Sequence, residues 1–161
     1  MKKIVRTAVE QAIAEAKLGL SEGGIPIGAV LIKGSDIIGR GHNRRIQCND
    51  PTAHGEIECL RNAGRFNPDD TTLVTTLSPC PMCAGAALIA GVKKVIILDK
   101  TNYDGRADLL TEAGVEVEVL EDKNLVKLFR NWTLIHPELW NEDGNWKKSE
   151  IDDAVRRRAI K

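Results

Sequence analysis

The sequence predicts an α/β fold, a three-layer α/β/α sandwich around one mixed five-stranded sheet. Segments with helical spacing of apolar residues alternate along the chain with short apolar runs typical of strands. The first two strands are predicted to form a hairpin, whereas helices separate the later strands, so the sheet should be mixed. With 161 residues, the chain is long enough for one complete core and too short for two ordinary domains.

The N-terminal part is predicted to form a helix and a β-hairpin. Apolar residues recur at helical spacing over residues 4–18, and Gly23-Gly24 ends that segment. Two apolar runs follow, at 27–33 and 36–41. They flank Gly34-Ser35, a two-residue turn that favours a hairpin.

The middle of the chain is predicted to alternate helices with strands. A polar loop spans residues 43–52, and a helix follows it over about 53–62. A strand then covers 72–77, and an apolar helix over about 81–90 ends at Gly91. The two helices begin at His54-Gly55-Glu56 and at Cys80-Pro81-Met82-Cys83.

The C-terminal third predicts two more strands, at 94–99 and 115–120, with a helix-like segment between them and a helix after them. Helical spacing also occurs within residues 146–161, which we interpret as an amphipathic extension of the single domain formed by 1–145. This extension carries six basic and three acidic side chains. It suits a solvated helix packed on a neighbouring surface, or a contact with nucleic acid.

The charge of the chain is balanced, with 23 Lys and Arg against 23 Asp and Glu. Because no overall field attracts nucleic acid or a membrane surface, the composition favours a small neutral substrate. No segment approaches the roughly 18 consecutive apolar residues of a membrane span, and we expect a soluble cytoplasmic protein. Four cysteines in such a chain are interpreted as reduced thiols.

Two short motifs supply the residues of a hydrolytic zinc site. His54-Gly55-Glu56 begins one predicted helix, and Cys80-Pro81-Met82-Cys83 begins another. One imidazole and two thiolates fill three tetrahedral positions and leave a fourth for water, as in catalytic zinc sites. The spacing of the two cysteines places both sulfurs on one side of a helix start, where the helix dipole favours thiolates. The predicted zinc ligands are therefore His54, Cys80 and Cys83.

Glu56 is predicted to carry protons in this site rather than to bind the metal. It lies two residues from His54, so the two side chains cannot bind one ion as an i, i+4 pair would, but they can bracket a water molecule. A Cys-x-x-Cys pair alone would also suit a zinc ribbon or a redox dithiol, neither of which explains Glu56. Cys48 and Cys59 are expected to be unligated thiols.

The two motifs resemble the H-x-E and P-C-x-x-C signature of zinc-dependent base deaminases, in which activated water attacks C4 of cytosine or C6 of adenine. Segments 22–28, 39–43 and 75–80 are also similar to fungal-type free-base cytosine deaminases. The resemblance covers residues 4 to about 144. It implies a cytidine deaminase-like fold, one zinc ion per subunit, a homodimer and hydrolysis of cytosine to uracil and ammonia in pyrimidine salvage.

The resemblance also implies which residues contact the substrate. Asn43 would bind the carbonyl edge of the pyrimidine, because a carboxamide offers a donor and an acceptor together. Tyr103 and Trp140 would stack on the base and exclude water, although Trp140 could instead anchor the C-terminal segment and Tyr103 could be a surface ring. The other substrate-contacting positions that it implies are Ile27, Gly55, the backbone carbonyl of Ser78, and Asp143.

Two departures from the fungal pattern leave other functions open. The chain continues past Asp143, and segments 49–54 and 82–86 are instead similar to tRNA adenosine deaminases and bacterial guanine deaminases. The alternative enzyme is therefore a deaminase of guanine, a related purine or pterin, or tRNA adenosine, for which Arg156–Arg158 could form a basic patch. A third hypothesis is a non-catalytic zinc module in which Glu56 only charges a helix start.

Overall fold

The structure, a computed structural model, describes residues 2–142. Asp143 and the helical extension predicted for 146–161 lie outside the described residues. The elements, in chain order, are α1 (Lys3–Ser21), β1 (Gly28–Lys33), β2 (Asp36–His42), α2 (Arg45–Cys48), α3 (Gly55–Ala63), β3 (Thr71–Thr75), α4 (Pro81–Ile89), β4 (Lys94–Ile97), α5 (Ala107–Glu112), β5 (Glu116–Val119), α6 (Lys123–Ile135) and α7 (Pro137–Asn141). Among these helices, none combines the length and the hydropathy that a membrane span requires.

The described residues form one mixed sheet of five strands in the order β2-β1-β3-β4-β5. Strand β1 pairs antiparallel with both β2 and β3, and β3, β4 and β5 run parallel to one another. The hairpin and the helical crossovers that the sequence predicts are both present. The predicted mixed five-stranded sheet is therefore confirmed.

Helices cover both faces of the sheet, as the alternation along β1 requires. Ala29 and Leu31 belong to one buried cluster, and Val30 and Ile32 belong to another. The first cluster includes residues of α3, α4 and α5, namely Cys59, Ala84, Ala87, Ala107 and Leu110. The second includes residues of α1 and α6, namely Ala8, Ala12 and Leu125. This arrangement is the predicted three-layer sandwich.

The prediction of an uninterrupted loop over 43–52 is wrong in part, because Arg45–Cys48 form the one-turn helix α2. The side-chain Oδ1 of Asn43 accepts a hydrogen bond from the backbone N–H of Arg45 at 3.1 Å, and so starts the turn. Asn49 ends it in the left-handed conformation, with φ 50°. A single helical turn is too short to show a periodic pattern, so its sequence resembles a loop.

Close contact between α1 and β1 depends on Gly28. A Cβ atom at this position would lie 2.3 Å from the carbonyl oxygen of Ala12 and 2.6 Å from the backbone nitrogen of Ala16, so a side chain cannot be accommodated. The Gly28 amide donates to the Thr76 hydroxyl at 2.9 Å. These contacts hold the start of β1 in place, and with it Ile27 just before the strand.

The two motif helices begin at the same edge of the sheet. Strands β3 and β4 are parallel, so their carboxyl ends lie side by side, at Thr75 and Ile97. The segment after β3 is tied to the end of β4 by a hydrogen bond from the Ser78 amide to the Asp99 carbonyl, at 2.9 Å. Ligand sites in α/β folds commonly lie at this edge.

A third apolar cluster lies at the end of α1 and under α7. Its buried residues are Ile25, Ile27, Leu77, Phe129 and Trp132. Helix α6 supplies the last two, and it begins at Asp122, whose Oδ1 accepts hydrogen bonds from the amides of Asn124 and Leu125, both at 2.9 Å. The cap therefore sets the position of the helix that supports this cluster.

We expect Asp122→Ala to lower the free energy of unfolding by about 1 kcal/mol, because two amides at the start of α6 lose their acceptor. Urea denaturation followed by circular dichroism measures this change. Asp122→Asn is the matched control, since its side-chain oxygen can still accept both bonds, and it should lose much less. Equal losses for the two variants would show that the cap does not stabilise the fold.

Candidate active site

The three predicted zinc ligands converge between the starts of α3 and α4. Nδ1 of His54 lies 3.5 Å from Sγ of Cys80 and 3.6 Å from Sγ of Cys83. The possible ligand atoms of all three residues lie within 4.8 Å of one another. Tetrahedral zinc with ordinary Zn–N and Zn–S bonds separates an imidazole nitrogen from a thiolate sulfur by about 3.5 Å. The donor set and its spacing therefore fit zinc.

Helix ends position these ligands. His54 is the N-cap residue of α3, and Cys80 is the N-cap residue of α4, with Pro81 as its first helical residue. The Cys80 sulfur accepts from the Cys83 amide at 3.5 Å. Proline is favoured at the first helical position because it has no amide hydrogen to satisfy there. The local sequence thus favours the turn that brings the two sulfurs together.

The two thiols differ in protonation. A hydrogen bond with the Cys83 side chain lowers the pKa of Cys80 to about 4, so Cys80 is a thiolate near neutral pH. The same hydrogen bond and burial raise the pKa of Cys83. A cation held by both sulfurs would displace the remaining proton, because thiolates are the form that binds metal.

Glu56 lies beside the ligand cluster, in the first turn of α3. Its side chain is buried, with 3% exposure. Oε1 lies 3.2 Å from the Thr75 hydroxyl, and Oε2 lies 3.4 Å from the Cys83 sulfur. Burial raises the pKa of this carboxyl. Glu56 is therefore suited to holding a proton at a pH where an exposed carboxyl would have lost it.

A cavity of about 520 Å³ opens beside Glu56 and the metal-binding cluster. Seven residues that line it were predicted from the sequence, namely Ile27, His54, Glu56, Ser78, Cys80, Tyr103 and Trp140. Five others were missed, namely Pro51, Leu77, Pro81, Met82 and Glu142. Pro81 and Met82 lie between the two motif cysteines, so the motif itself could have indicated them. Pro51, Leu77 and Glu142 carry no comparable signal.

Aromatic rings form one side of the cavity. The rings of Tyr103 and Trp140 meet edge to face with centroids 5.6 Å apart, and Trp140 meets Phe129 in the same way at 5.0 Å. Trp140 lines the cavity and also packs on the third apolar cluster. The position of Trp140 therefore suits both alternatives, a ring of the pocket and an anchor for the C-terminal segment.

Asn43 and Gly55 are not among the described residues that line this cavity, but both contact Ile27, which does line it. The Asn43 amide donates to the Ile27 carbonyl at 2.8 Å. A Cβ atom on Gly55 would lie 3.1 Å from that same oxygen. Asn43 is fully buried, and its Nδ2 has no hydrogen-bond partner among the described residues. A buried donor of this kind suits a ligand.

Other candidate ligands lie apart from the cluster. His42 contacts carboxylates through both ring nitrogens, at 2.7 Å to Glu15 and 3.0 Å to Glu22. Cys59, on the inner face of α3, is buried in the core, where burial raises its pKa, and Cys48 is exposed. Within residues 2–142, none of these side chains joins the group that could hold a metal.

The chain is similar over most of its length to known deaminases. It is 43% identical over 142 residues to cytosine deaminase of Candida albicans, a match that covers 86% of this chain and 95% of that protein. It is 36% identical over 121 residues to a tRNA-specific adenosine deaminase of Streptococcus pyogenes, which covers 73% of this chain and 72% of that protein.

Solved structures and a family profile extend the comparison. Guanine deaminase from Bacillus subtilis is 36% identical with a TM-score of 0.55, covering 72% of this chain and 72% of that one. A profile of the zinc-binding region of cytidine and deoxycytidylate deaminases matches residues 2–99, which include both motifs. The resemblance predicted from the motifs is confirmed, and the chain belongs to the cytidine and deoxycytidylate deaminase family of zinc-binding proteins.

Proposed function

We propose that this protein hydrolyses free cytosine to uracil and ammonia. One juxtaposition carries the proposal: a buried carboxyl, Glu56, lies beside a three-residue zinc-binding cluster at the edge of a cavity of about 520 Å³. A protein named cytosine deaminase shares 43% identity with the chain and is covered over 95% of its length. That relative favours a free pyrimidine base as the substrate.

His54, Cys80 and Cys83 would hold one zinc ion per subunit. Zinc bound there supplies Lewis acidity that activates water for attack on the carbon bearing the amino group. Three protein ligands leave room for a fourth, which distinguishes catalytic sites from closed structural ones. A purely structural zinc module would not explain why Glu56 is buried at the edge of the same cavity.

Glu56 would move the protons of the reaction. It accepts a proton from the attacking water and passes it to the ring nitrogen next to the attacked carbon. It then transfers the remaining proton of the added hydroxyl group to the amino group, and the carbon–nitrogen bond breaks to release ammonia and leave a carbonyl. Burial supports this exchange, because it raises the carboxyl pKa towards the working pH. The Thr75 hydroxyl, 3.2 Å from Oε1, would hold the carboxyl in place.

The base would lie between polar groups at its edge and apolar groups at its faces. The unpaired Nδ2 of buried Asn43 is suited to the pyrimidine carbonyl. The backbone of Gly55 would assist it, and the carbonyl of Ser78 would accept a hydrogen bond from the amino group. Apolar contacts would come from Ile27, Tyr103 and Trp140, which line the cavity. Asp143, outside the described residues, is proposed as a further contact.

A purine base is the second candidate substrate. The observation that favours it is the 36% identity to a guanine deaminase and to a tRNA-specific adenosine deaminase. We favour a small base over tRNA, because the whole chain has no net charge, so no overall field attracts a phosphate backbone. Tyr103 and Trp140 also line the cavity in which a flipped nucleotide would have to fit.

We propose that the protein is a homodimer that pairs through α4. Residues on every side of this helix are apolar, but its buried residues all lie on one side. Ile89 is 92% exposed, and a Cβ on Gly85 would meet open space, so an apolar face of α4 is uncovered. Exposed apolar patches of this kind commonly mark protein interfaces.

The proposed reaction recovers a pyrimidine base, which gives the enzyme a proposed role in pyrimidine salvage in the cytoplasm. The substrate and product of that reaction are small and water-soluble. Activity confined to the membrane fraction of disrupted cells would contradict this location.

We expect Glu56→Gln to lower the rate of ammonia release by about 10²–10⁴-fold, because an amide cannot exchange the protons of the reaction. Zinc content, measured by atomic emission, should stay at the wild-type value. Glu58→Gln is the matched control, since Glu58 lies on the same helix and pairs with Arg61 at 2.6 Å. Near wild-type turnover by Glu56→Gln would exclude Glu56 as the proton carrier.

We expect ammonia release from cytosine to exceed release from guanine and adenine by about 10²-fold or more, because contacts to the base edge discriminate between rings. The measurement is a screen of the zinc-loaded protein against cytosine, cytidine, guanine, adenine and related rings. Activity on cytidine but not on cytosine would contradict the free-base proposal. Activity on guanine alone would replace it with the purine alternative.

We expect Ile89→Lys to weaken the dimer by more than about tenfold, because a charge placed in an apolar interface must be desolvated. Light scattering after size-exclusion chromatography measures the mass, starting from a chain of 17.7 kDa. Ile135→Lys is the matched control, since Ile135 is 72% exposed but lies on α6. A dimer lost in both variants, or in neither, would exclude the α4 face.

A further inference from the structure

We propose that Arg45 is a positioning residue that holds the roof of the pocket over the bound base. The roof is defined as Trp140 and Glu142, the two residues at the C-terminal end of the described chain that line the cavity. The proposal rests on the base deaminase function proposed above. It adds a residue that neither sequence motif contains.

Arg45 connects the roof to the loop that carries Asn43. Its guanidinium Nη2 donates to the carbonyl oxygen of Leu139 and lies 3.5 Å from Oε2 of Glu142. Its backbone amide donates to Oδ1 of Asn43 at 3.1 Å. Arg45 therefore contacts both Asn43, the side chain proposed to bind the base edge, and the segment proposed to cover the base.

Arg45 is a buried charged residue, so its contacts with protein groups matter. The Arg45 side chain is only 5% exposed, although it carries a full charge. A buried guanidinium is tolerated when protein groups replace its water, and removing those groups is costly. Glu142 is 63% exposed, so its ion pair contributes less than the carbonyl contact does. The burial of Arg45 is thus coupled to the docking of α7.

Helix α7 depends on this contact because its own packing is limited. It has five residues, none of them buried. Its apolar attachments are Leu139 and Trp140, which pack partly buried against the third apolar cluster. Without Arg45, the backbone carbonyl of Leu139 loses a hydrogen-bond donor. Among the described residues, the ring contacts that still hold Trp140 are those with Phe129 and Tyr103.

The role predicts a particular kinetic effect. The roof contacts the base in the ground state and in the transition state alike, so its loss weakens both equally. KM should then rise while kcat changes little. A role in the chemistry, or in the general stability of the fold, would instead lower kcat or the fraction of active enzyme.

The test compares Arg45→Met with Arg44→Met in the zinc-loaded protein. Arg44 is the neighbouring arginine and is exposed, with a distant partner, Glu58, at 3.9 Å. We expect Arg45→Met to raise KM for cytosine by about tenfold or more and to leave kcat within about threefold of wild type. Arg44→Met should match wild type in both constants. Arg45→Lys, which keeps the charge and one donor, should restore part of the affinity.

A second readout does not depend on turnover. Tryptophan emission of Arg45→Met should shift to longer wavelength, because Trp140 gains solvent. The shift should be absent when the same substitution is made in a Trp140→Phe background. If Arg45→Met does not fold, Arg45→Lys carries both measurements, with a smaller rise in KM and a smaller shift.

The outcomes separate this proposal from the function on which it rests. Unchanged KM and unchanged emission in the Arg45 variants would overturn the positioning role, and so would a fall in kcat with unchanged KM. Wild-type enzyme that releases no ammonia from cytosine would contradict the proposed function. In that case the Trp140-dependent emission shift still decides whether Arg45 holds the roof.

Discussion

The approach of His54 to Cys80 and Cys83 is the contact on which the rest of the site depends. Separations of 3.5 and 3.6 Å leave little tolerance, because zinc–ligand distances vary by about 0.2 Å. Two helix starts must therefore be held against one sheet edge. The parallel pairing of β3 with β4 places the start of α4, and a close contact of α3 with β2 places His54. That contact requires Gly41, where a Cβ atom would lie 2.7 Å from the Cys59 backbone nitrogen.

The same packing removes water from the acidic group. Glu56 lies at the start of α3, between the metal-binding residues and the hydroxyl of Thr75, where β3 ends. Burial raises its pKa, while a neighbouring thiol lowers the pKa of Cys80. One carboxyl able to hold a proton and one thiolate able to bind metal therefore arise in the same site. Their environments shift the two pKa values in opposite directions, each towards the protonation state that its role requires.

The aromatic side of the cavity is built on a different part of the chain from the metal-binding cluster. The ligands and Glu56 lie at the starts of α3 and α4, whereas the roof lies at the C-terminal end of α7 and is supported by Phe129 of α6 and by Arg45 of α2. Proteins named as deaminases of cytosine, guanine and tRNA adenosine all share substantial identity with this chain. A metal-binding edge built on the sheet leaves the surrounding loops able to differ, because loops can vary without disturbing the sheet.

The amino-acid sequence was enough to predict the sandwich, the mixed sheet, the three metal-binding residues and the carboxyl beside them. Each of these depends on local patterns: helical or strand periodicity, a two-residue turn, or ligand types a few positions apart. The folded chain was needed to find that Arg45 lies against Glu142, 97 positions away, and that Pro51, Leu77 and Glu142 line the cavity. Such contacts follow from the path of the backbone between distant segments, which no short pattern of residues encodes.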